Sequence, residues 1–279
     1  MSDRLTVIDD TGHHIALERP ARRIVSLVPS HSETVAALIG EDALVGITRY
    51  CVRPSGLPKR RMVVGGTKDP TLERIAALAP DLVVVNREEN LPQHIAWLRE
   101  RFAVYESATV TLDDTARTIS DLGTLLGVPA AAAKMVRQLE DARGALAPIA
   151  SLPRRKTLYL VWRSPYRAIN GTTYIHHLLD ALGLDNLMAG SSERYPMIDV
   201  EGIAALDPEL VVLPDEPFPF SARHARALAE ELRPHVGTMP LLAPVDGSAC
   251  CWYGVRTATG LGELLAWRCA LEMQLPSGE

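Results

Sequence analysis

Long apolar runs are missing from this 279-residue chain: none approaches the roughly 18 residues that a membrane-crossing helix requires, so no membrane span is expected. Cysteine is sparse. Cys51, Cys250, Cys251 and Cys269 form no CxxC pair and are too unevenly spaced for a disulfide framework or a zinc site, which leaves buried free thiols as the expectation. Excess charge of one sign is also lacking. The 29 Lys and Arg are interspersed among 34 Asp and Glu, giving a net charge of −5 and no basic stripe for nucleic acid or an anionic membrane. Histidine offers no chelating spacing, because the pairs His13-His14 and His176-His177 are adjacent and point apart on a strand or helix. No metal site is therefore expected. The enzymatic signatures GxSxG, HExxH, GxxxxGK[ST] and a GxGxxG after a strand are all absent, so no catalytic residue and no intrinsic cofactor is assigned. The start, Met1-Ser2-Asp3-Arg4-Leu5, reaches a predicted strand without the apolar core of a signal peptide. The chain as it stands is expected to be cytoplasmic, or periplasmic if a leader has been removed.

What is present is a chain with 47% hydrophobic residues, enough to bury one large core or two ordinary ones. A hairpin is predicted from Leu5–Ile8 and His14–Leu17 around Asp9-Asp10-Thr11-Gly12. Short apolar strands then alternate with helices. Strands are expected at 23–28, 44–48, 81–85 and 103–106, with helices at 32–39, 72–78 and 92–101, a pattern that implies a parallel sheet covered on both faces. The rhythm breaks in the middle, where a helix over 112–126 is followed by another from Pro129 to about Ala147, about 28 Å long at 1.5 Å per residue. The alternation resumes beyond Pro153, with strands at 156–162 and 209–213 and helices near 173–182, 221–232 and 257–272.

An internal repeat organises this pattern. Residues 72–85 match residues 200–213 at a constant offset of 128, each copy reading as a short helix, a turn ending in proline, and an apolar strand. That offset is too large for a solenoid period. It implies two Rossmann-like α/β lobes with parallel sheets, residues 1–127 and 151–279, joined by one long backbone helix within 128–150, with a ligand cleft between the lobes.

Open parallel sheets bind ligands beyond the carboxyl ends of their strands, so the residues following each strand are candidate ligand contacts. In the first lobe these are Ser30, His31, Arg49, Tyr50, Lys68 and Arg87. In the second they are Trp162, Tyr166, Phe218, Trp252 and Tyr253. Aromatic residues make up only 5% of the chain, so their gathering at predicted strand ends suits a bulky, partly apolar ligand with polar substituents.

The run Arg23-Ile24-Val25-Ser26-Leu27-Val28-Pro29-Ser30 with Glu33-Thr34 is followed by Val45-Gly46-Ile47-Thr48-Arg49-Tyr50-Cys51 and Pro54. Gly65-Gly66-Thr67 then leads into Leu72-Glu73-Arg74-Ile75 and Pro80-Asp81-Leu82-Val83. This series resembles the solute-binding proteins of cobalamin and iron-siderophore ABC importers over nearly the whole chain, and is closest to the cobalamin-binding branch. The resemblance implies a non-catalytic, monomeric binder of a cobalamin-like corrinoid, with haem or a ferric siderophore as alternatives. It implies that Tyr50 and, on the opposite lobe, the regions of Trp162 to Tyr166 and Trp252-Tyr253 sandwich the ligand. It further implies that Glu73 and Glu201, equivalent positions of the repeat, dock onto arginines of an ABC permease. Two features depart from the pattern. A tryptophan that some cobalamin binders carry after the third strand is replaced by Thr67-Lys68-Asp69, which points to another tetrapyrrole or chelate. The missing leader leaves open a cytoplasmic enzyme or chaperone of corrinoid or metal-chelate metabolism on the same scaffold.

Overall fold

A computed structural model of the protein describes residues 4–275. Met1 to Asp3, part of the start from which no export leader was expected, lie outside the described residues. The chain forms two compact units: Met1–Glu140 with Trp252–Thr257, and Asp141–Cys251 with Ala258–Glu279.

The first unit opens with the expected hairpin, β1 (Leu5–Ile8) antiparallel to β2 (His14–Leu17). Asp9 pins its turn. Its side chain accepts from the backbone of Thr11 and His13 and pairs with Arg99 at 3.0 Å. Then follow β3 (Ile24–Ser26), α1 (Pro29–Ile39), β4 (Leu44–Ile47), α2 (Leu57–Arg60), β5 (Met62–Val63) and α3 (Leu72–Ala77). The unit continues with β6 (Leu82–Asn86), α4 (Pro92–Arg99), β7 (Val104–Ser107), α5 (Leu112–Leu125) and α6 (Pro129–Gly144). The sheet order is β5-β4-β3-β6-β7, parallel throughout. From β3 the chain winds outward to β4 and β5, then returns to the other side for β6 and β7. The carboxyl ends of β3 and β6 therefore flank the topological switch point, where α/β sheets place ligands. Val25, Leu27, Val83 and Val85 pack with Val64, Ile75, Ile95 and Leu98, which is why these strands read as unbroken apolar runs.

The second unit contains β8 (Arg155–Trp162), β9 (Tyr166–Ala168), α7 (Tyr174–Ala181), β10 (Leu184–Asn186), β11 (Met197–Ile198) and α8 (Val200–Ala205). It continues with β12 (Leu210–Pro214), α9 (Ala222–Leu232), β13 (Leu241–Val245) and α10 (Gly247–Cys251), and α11 (Val255–Glu272) closes the chain. Strands β10, β8, β12 and β13 are parallel. The sheet also carries an antiparallel extension, β9 on β8 and β11 on β9, that the alternation of strands and helices did not announce. Leu158, Leu160, Val211 and Leu213 form its core with Ile203, Leu228 and Leu232.

The repeat is structural as well as textual. α3 and α8 correspond, as do β6 and β12, and each helix ends in a left-handed residue before a proline, Ala79 (φ 42°) and Asp207 (φ 48°). A left-handed C-terminal residue followed by proline stops a helix abruptly, so both copies turn back into the sheet at the same place. The helix expected to run to about Ala147 stops at Gly144, and a short 3₁₀ turn covers Ala147–Ser151. The chain boundary between the units, Glu140/Asp141, falls within α6.

Helices α5 and α6 meet at Gly123, where an added Cβ would lie 2.2 Å from that of Ala132. Helix propensity favours Ala over Gly by about 1 kcal/mol, but overlap in a packed interface costs roughly 1–3 kcal/mol. Gly123→Ala should therefore destabilise by about 1–2 kcal/mol. Gly144 has no neighbour within 4 Å of such a Cβ, so Gly144→Ala should gain up to about 1 kcal/mol. Urea unfolding of the two variants checks the opposite signs, and a stabilised Gly123→Ala would contradict the close approach.

Candidate functional site

At the carboxyl end of the first sheet, buried amides build the loops. Asn86, ending β6, donates to Ser107 O and Oγ (3.2 and 3.0 Å), and its own Oδ1 receives the N–H groups of Glu88 and Glu89. Asn90 donates to Leu27 O and Thr67 O, tying the ends of β3 and β6 to the loop after β5. On this frame Tyr50 is 52% exposed, with the Arg49 guanidinium 5.8 Å from its ring and paired to Asp69 at 3.0 Å. Lys68 is exposed and donates to Glu88 O. Arg87 is exposed as well.

His31 and Ser30, expected as ligand contacts, turn inward. His31 is fully enclosed: Nε2 lies 2.7 Å from Ser107 Oγ, the ring is 5.3 Å from that of Tyr253, and burial drives its pKa down to about 3. Ser30 is buried and its Oγ has no partner among the described residues. These residues form the first turn of α1, which packs into the unit, so their side chains build the floor of the face and not its surface.

Trp252 and Tyr253 were expected on the second lobe, after a strand. They follow α10 instead and belong to the first unit, where both are buried. The Arg53 guanidinium lies 5.8 Å from the Trp252 ring, and Tyr253 donates to Glu89 at 3.3 Å. The next residues lock onto α1, with Val255 N donating to Thr34 Oγ1 at 3.1 Å. A Cβ on Gly254 (φ 111°) would lie 2.2 Å from that same oxygen, so glycine is needed for both backbone and space. Glu33, on the same helix, has its carboxyl pKa raised by burial, against the pull of Arg53 and Arg256.

The carboxyl end of the second sheet carries an aromatic group. Trp162, ending β8, is 44% exposed and meets Phe218 edge to face, centroids 5.6 Å apart. Phe218 in turn contacts Phe220 at 4.8 Å and His224 at 5.1 Å. Tyr166 is buried among the core residues, its hydroxyl donating to Glu231 at 2.9 Å, and Arg163 reaches the same carboxylate at 3.3 Å. Tyr166 thus braces β9 against α9 and leaves Trp162 and Phe218 as the available rings. Beside them lies a shallow depression of about 350 Å³ at the ends of β12 and β13, bordered by Asp215, Phe220 and Asp246. A larger one, about 510 Å³, is lined by Arg22, Leu38, Asp42 and Val128 at the amino ends of β3 and β4, where parallel sheets do not bind ligands.

Glu73 and Glu201 stand in the first turns of α3 and α8 and are exposed, with His235 Nε2 3.9 Å from Glu201. Among the described residues, no group of three or more His, Cys, Asp or Glu is arranged to hold a metal ion, and no helix is long and apolar enough to cross a membrane.

The description "periplasmic binding protein" applies to a family matched over residues 24–234, about three quarters of the sequence. The chain belongs to that family. Among curated proteins, it is 28% identical over 214 residues to the vitamin B12-binding protein of Vibrio cholerae, covering 75% of this chain and 73% of that protein. It is also 28% identical over 219 residues to the cobalamin-binding protein of Halobacterium salinarum, covering 75% of this chain and 58% of that one. Among solved structures, the periplasmic vitamin B12 binding protein of Vibrio cholerae superposes with a TM-score of 0.77 at 21% identity, over 91% of this chain and 98% of that one. A periplasmic heme binding protein from Pseudomonas aeruginosa gives a TM-score of 0.77 at 27% identity, over 93% and 95%. These matches agree with the resemblance read from the motif series, and the fold is the two-lobed α/β architecture of such binding proteins.

Proposed function

We propose that this chain binds a cobalamin-like corrinoid without transforming it, as the periplasmic solute-binding component of an ABC importer. The observation that supports this most directly is the pair of exposed aromatic faces at the carboxyl ends of parallel strands, Tyr50 in the first unit and Trp162 in the second. A flat conjugated ring is the ligand that such faces recognise, because stacking removes two apolar surfaces from water at once. The similarity to vitamin B12-binding proteins over three quarters of the chain supports the corrinoid in particular. Glu73 and Glu201 are the carboxylates through which a permease would be engaged, each exposed and suited to bidentate arginine.

Haem is the second reading. It is favoured by the likeness to a heme binding protein at 27% identity and by the cations Arg49, beside the Tyr50 ring, and Lys68 and Arg87, exposed in the loops that follow β5 and β6, which suit a ligand bearing carboxylates.

Titration with cyanocobalamin, cobinamide, haem and a ferric siderophore, followed by tryptophan fluorescence, is the test. Micromolar or tighter binding of a tetrapyrrole is expected, which needs about 8 kcal/mol. Trp162→Ala and Tyr50→Ala should each weaken it roughly tenfold or more, as truncation of a buried aromatic anchor does. No binding to any of the four would overturn the proposal.

A further inference from the structure

Ser221 and His224 open α9 as a reciprocal cap, and this decides which ring nitrogen of His224 bears its proton. Nδ1 lies 3.1 Å from Ser221 N and 3.1 Å from Ser221 Oγ. A backbone N–H can only donate, so Nδ1 is the acceptor and the proton of the neutral ring sits on Nε2. The ring is half-buried, and Nε2 is neither enclosed nor bonded among the described residues.

Its position gives that free donor a use. Strand β12 ends at Pro214 and α9 begins at Ala222, so the first turn of α9 stands at the carboxyl end of the second sheet, as Trp162 does. Phe218 bridges the two, its centroid 5.1 Å from the His224 ring and 5.6 Å from the Trp162 ring. An N–H donor beside an aromatic face distinguishes ligands by what they carry at their edge. The same cap keeps the Nε2 lone pair from being offered to a metal, since that nitrogen holds the proton while Nδ1 is engaged by Ser221.

We propose that His224 is a specificity-determining residue that donates its Nε2–H to an acceptor at the rim of a flat ring stacked on Trp162, either a carboxylate or an amide carbonyl. This rests on the tetrapyrrole reading given above. A site built to satisfy such a donor rejects a ligand that lacks the acceptor.

Two measurements test it. Long-range nitrogen–proton NMR of the imidazoles of the free protein should find His224 with its proton on Nε2, and a proton on Nδ1 would overturn the inference. Wild type, His224→Phe and His224→Glu are then titrated with iron mesoporphyrin, iron etioporphyrin, which has the same ring but only alkyl substituents, and cobinamide. Phenylalanine keeps the ring contacts and removes the donor, while glutamate keeps an acceptor at the third position of the reciprocal cap and places a negative charge at the rim. His224→Phe should weaken mesoporphyrin or cobinamide by about tenfold, the value of one hydrogen bond to a carboxylate, and leave etioporphyrin within about twofold. A loss confined to mesoporphyrin assigns the acceptor as a carboxylate, and one confined to cobinamide assigns it as an amide. His224→Glu should weaken mesoporphyrin at least as much. Equal weakening of all three probes means that the ring only supports the fold, and overturns the inference. Unchanged affinities in both variants overturn it while leaving the tetrapyrrole reading intact. Failure of all three probes to bind wild type overturns both.

Discussion

Replacing Arg268 with methionine should lower the unfolding free energy by about 3–5 kcal/mol at neutral pH, the loss expected when one member of a buried ionic set is removed. Arg268 is fully buried on α11. Its guanidinium donates to Leu182 O (3.0 Å), to Pro153 O (2.7 Å) and to the Glu272 carboxylate. Glu272 also receives Arg155, itself buried at the start of β8, at 2.7 Å, and Arg155 reaches Glu209 at 2.8 Å. Methionine fills most of the volume but leaves the buried Leu182 carbonyl unpaired, a cost of about 1–3 kcal/mol, removes the donor to the Pro153 carbonyl, and leaves Glu272 with one cation in place of two. Arg268→Lys should recover only part of the loss, because an ammonium lacks the fork that spans three acceptors. The acid side gives a further check. Hydrogen bonding from Arg155, opposed by burial, holds the Glu272 carboxyl below its usual value of 4.5. A depressed acid contributes its stability above the unfolded pKa and loses it as pH falls through the folded one, so the gap between wild type and variant should narrow below pH 4.5, without closing, because the bonds to the two carbonyls do not titrate. Urea unfolding followed by circular dichroism measures the difference, and a change under about 1 kcal/mol would mean that the set is solvated.

The same network shows where sequence reading ends. Arg155, Glu209, Arg268 and Glu272 are spread over more than a hundred residues, and nothing in their local context distinguishes them from surface charges. The strands β3, β6 and β12 and the middle of β8 were legible because they are buried on both faces and carry runs of apolar residues. The repeat was legible because a helix, a left-handed residue and a proline are one local device used twice. β13 was missed because Pro244 interrupts its run. A proline cannot donate to a ladder, but β13 is the edge strand, and Pro244 O instead accepts from Trp267 Nε1 at 2.9 Å. The positions of Tyr50, Trp162 and Phe218 at the candidate site follow from the order of the strands, which each residue ends or succeeds. Trp252 and Tyr253 do not, because their membership of the first unit depends on where the chain returns, which only Gly254 and its contact with Thr34 record. His224 received no role from the sequence for a related reason: Ser221 and His224 have cap spacing, which announces only a helix start.

Acidification from pH 6.5 to pH 5 should cost the protein about 2 kcal/mol through His31 alone, at 1.36 kcal/mol per pH unit for each proton bound only by the unfolded chain. The direction follows from burial. Folded His31 stays neutral down to about pH 3, because no countercharge compensates its enclosure, whereas in the unfolded chain it protonates near its usual value of 6.5. Between these values the unfolded state binds the extra proton, so stability is complete above 6.5 and declines steadily below it, reaching a loss of about 5 kcal/mol near pH 3. Asp121 works the other way over part of that range. Burial raises its carboxyl to about 6, so the folded state takes up its proton first and gains stability on acidification between about 6 and 3.8. Its partial exposure screens that gain, and it is common to wild type and variant, so it cancels in their difference. His31→Gln keeps a polar group for Ser107 and removes the titration. Its stability at pH 8 should be lower, by the packing lost against Tyr253, but its pH slope below 6.5 should be shallower than that of wild type by about 1.4 kcal/mol per unit. Urea midpoints collected from pH 8 to pH 4 on both proteins give the two slopes. Parallel curves would mean that His31 is protonated in the folded state, and that the first turn of α1 is open to water.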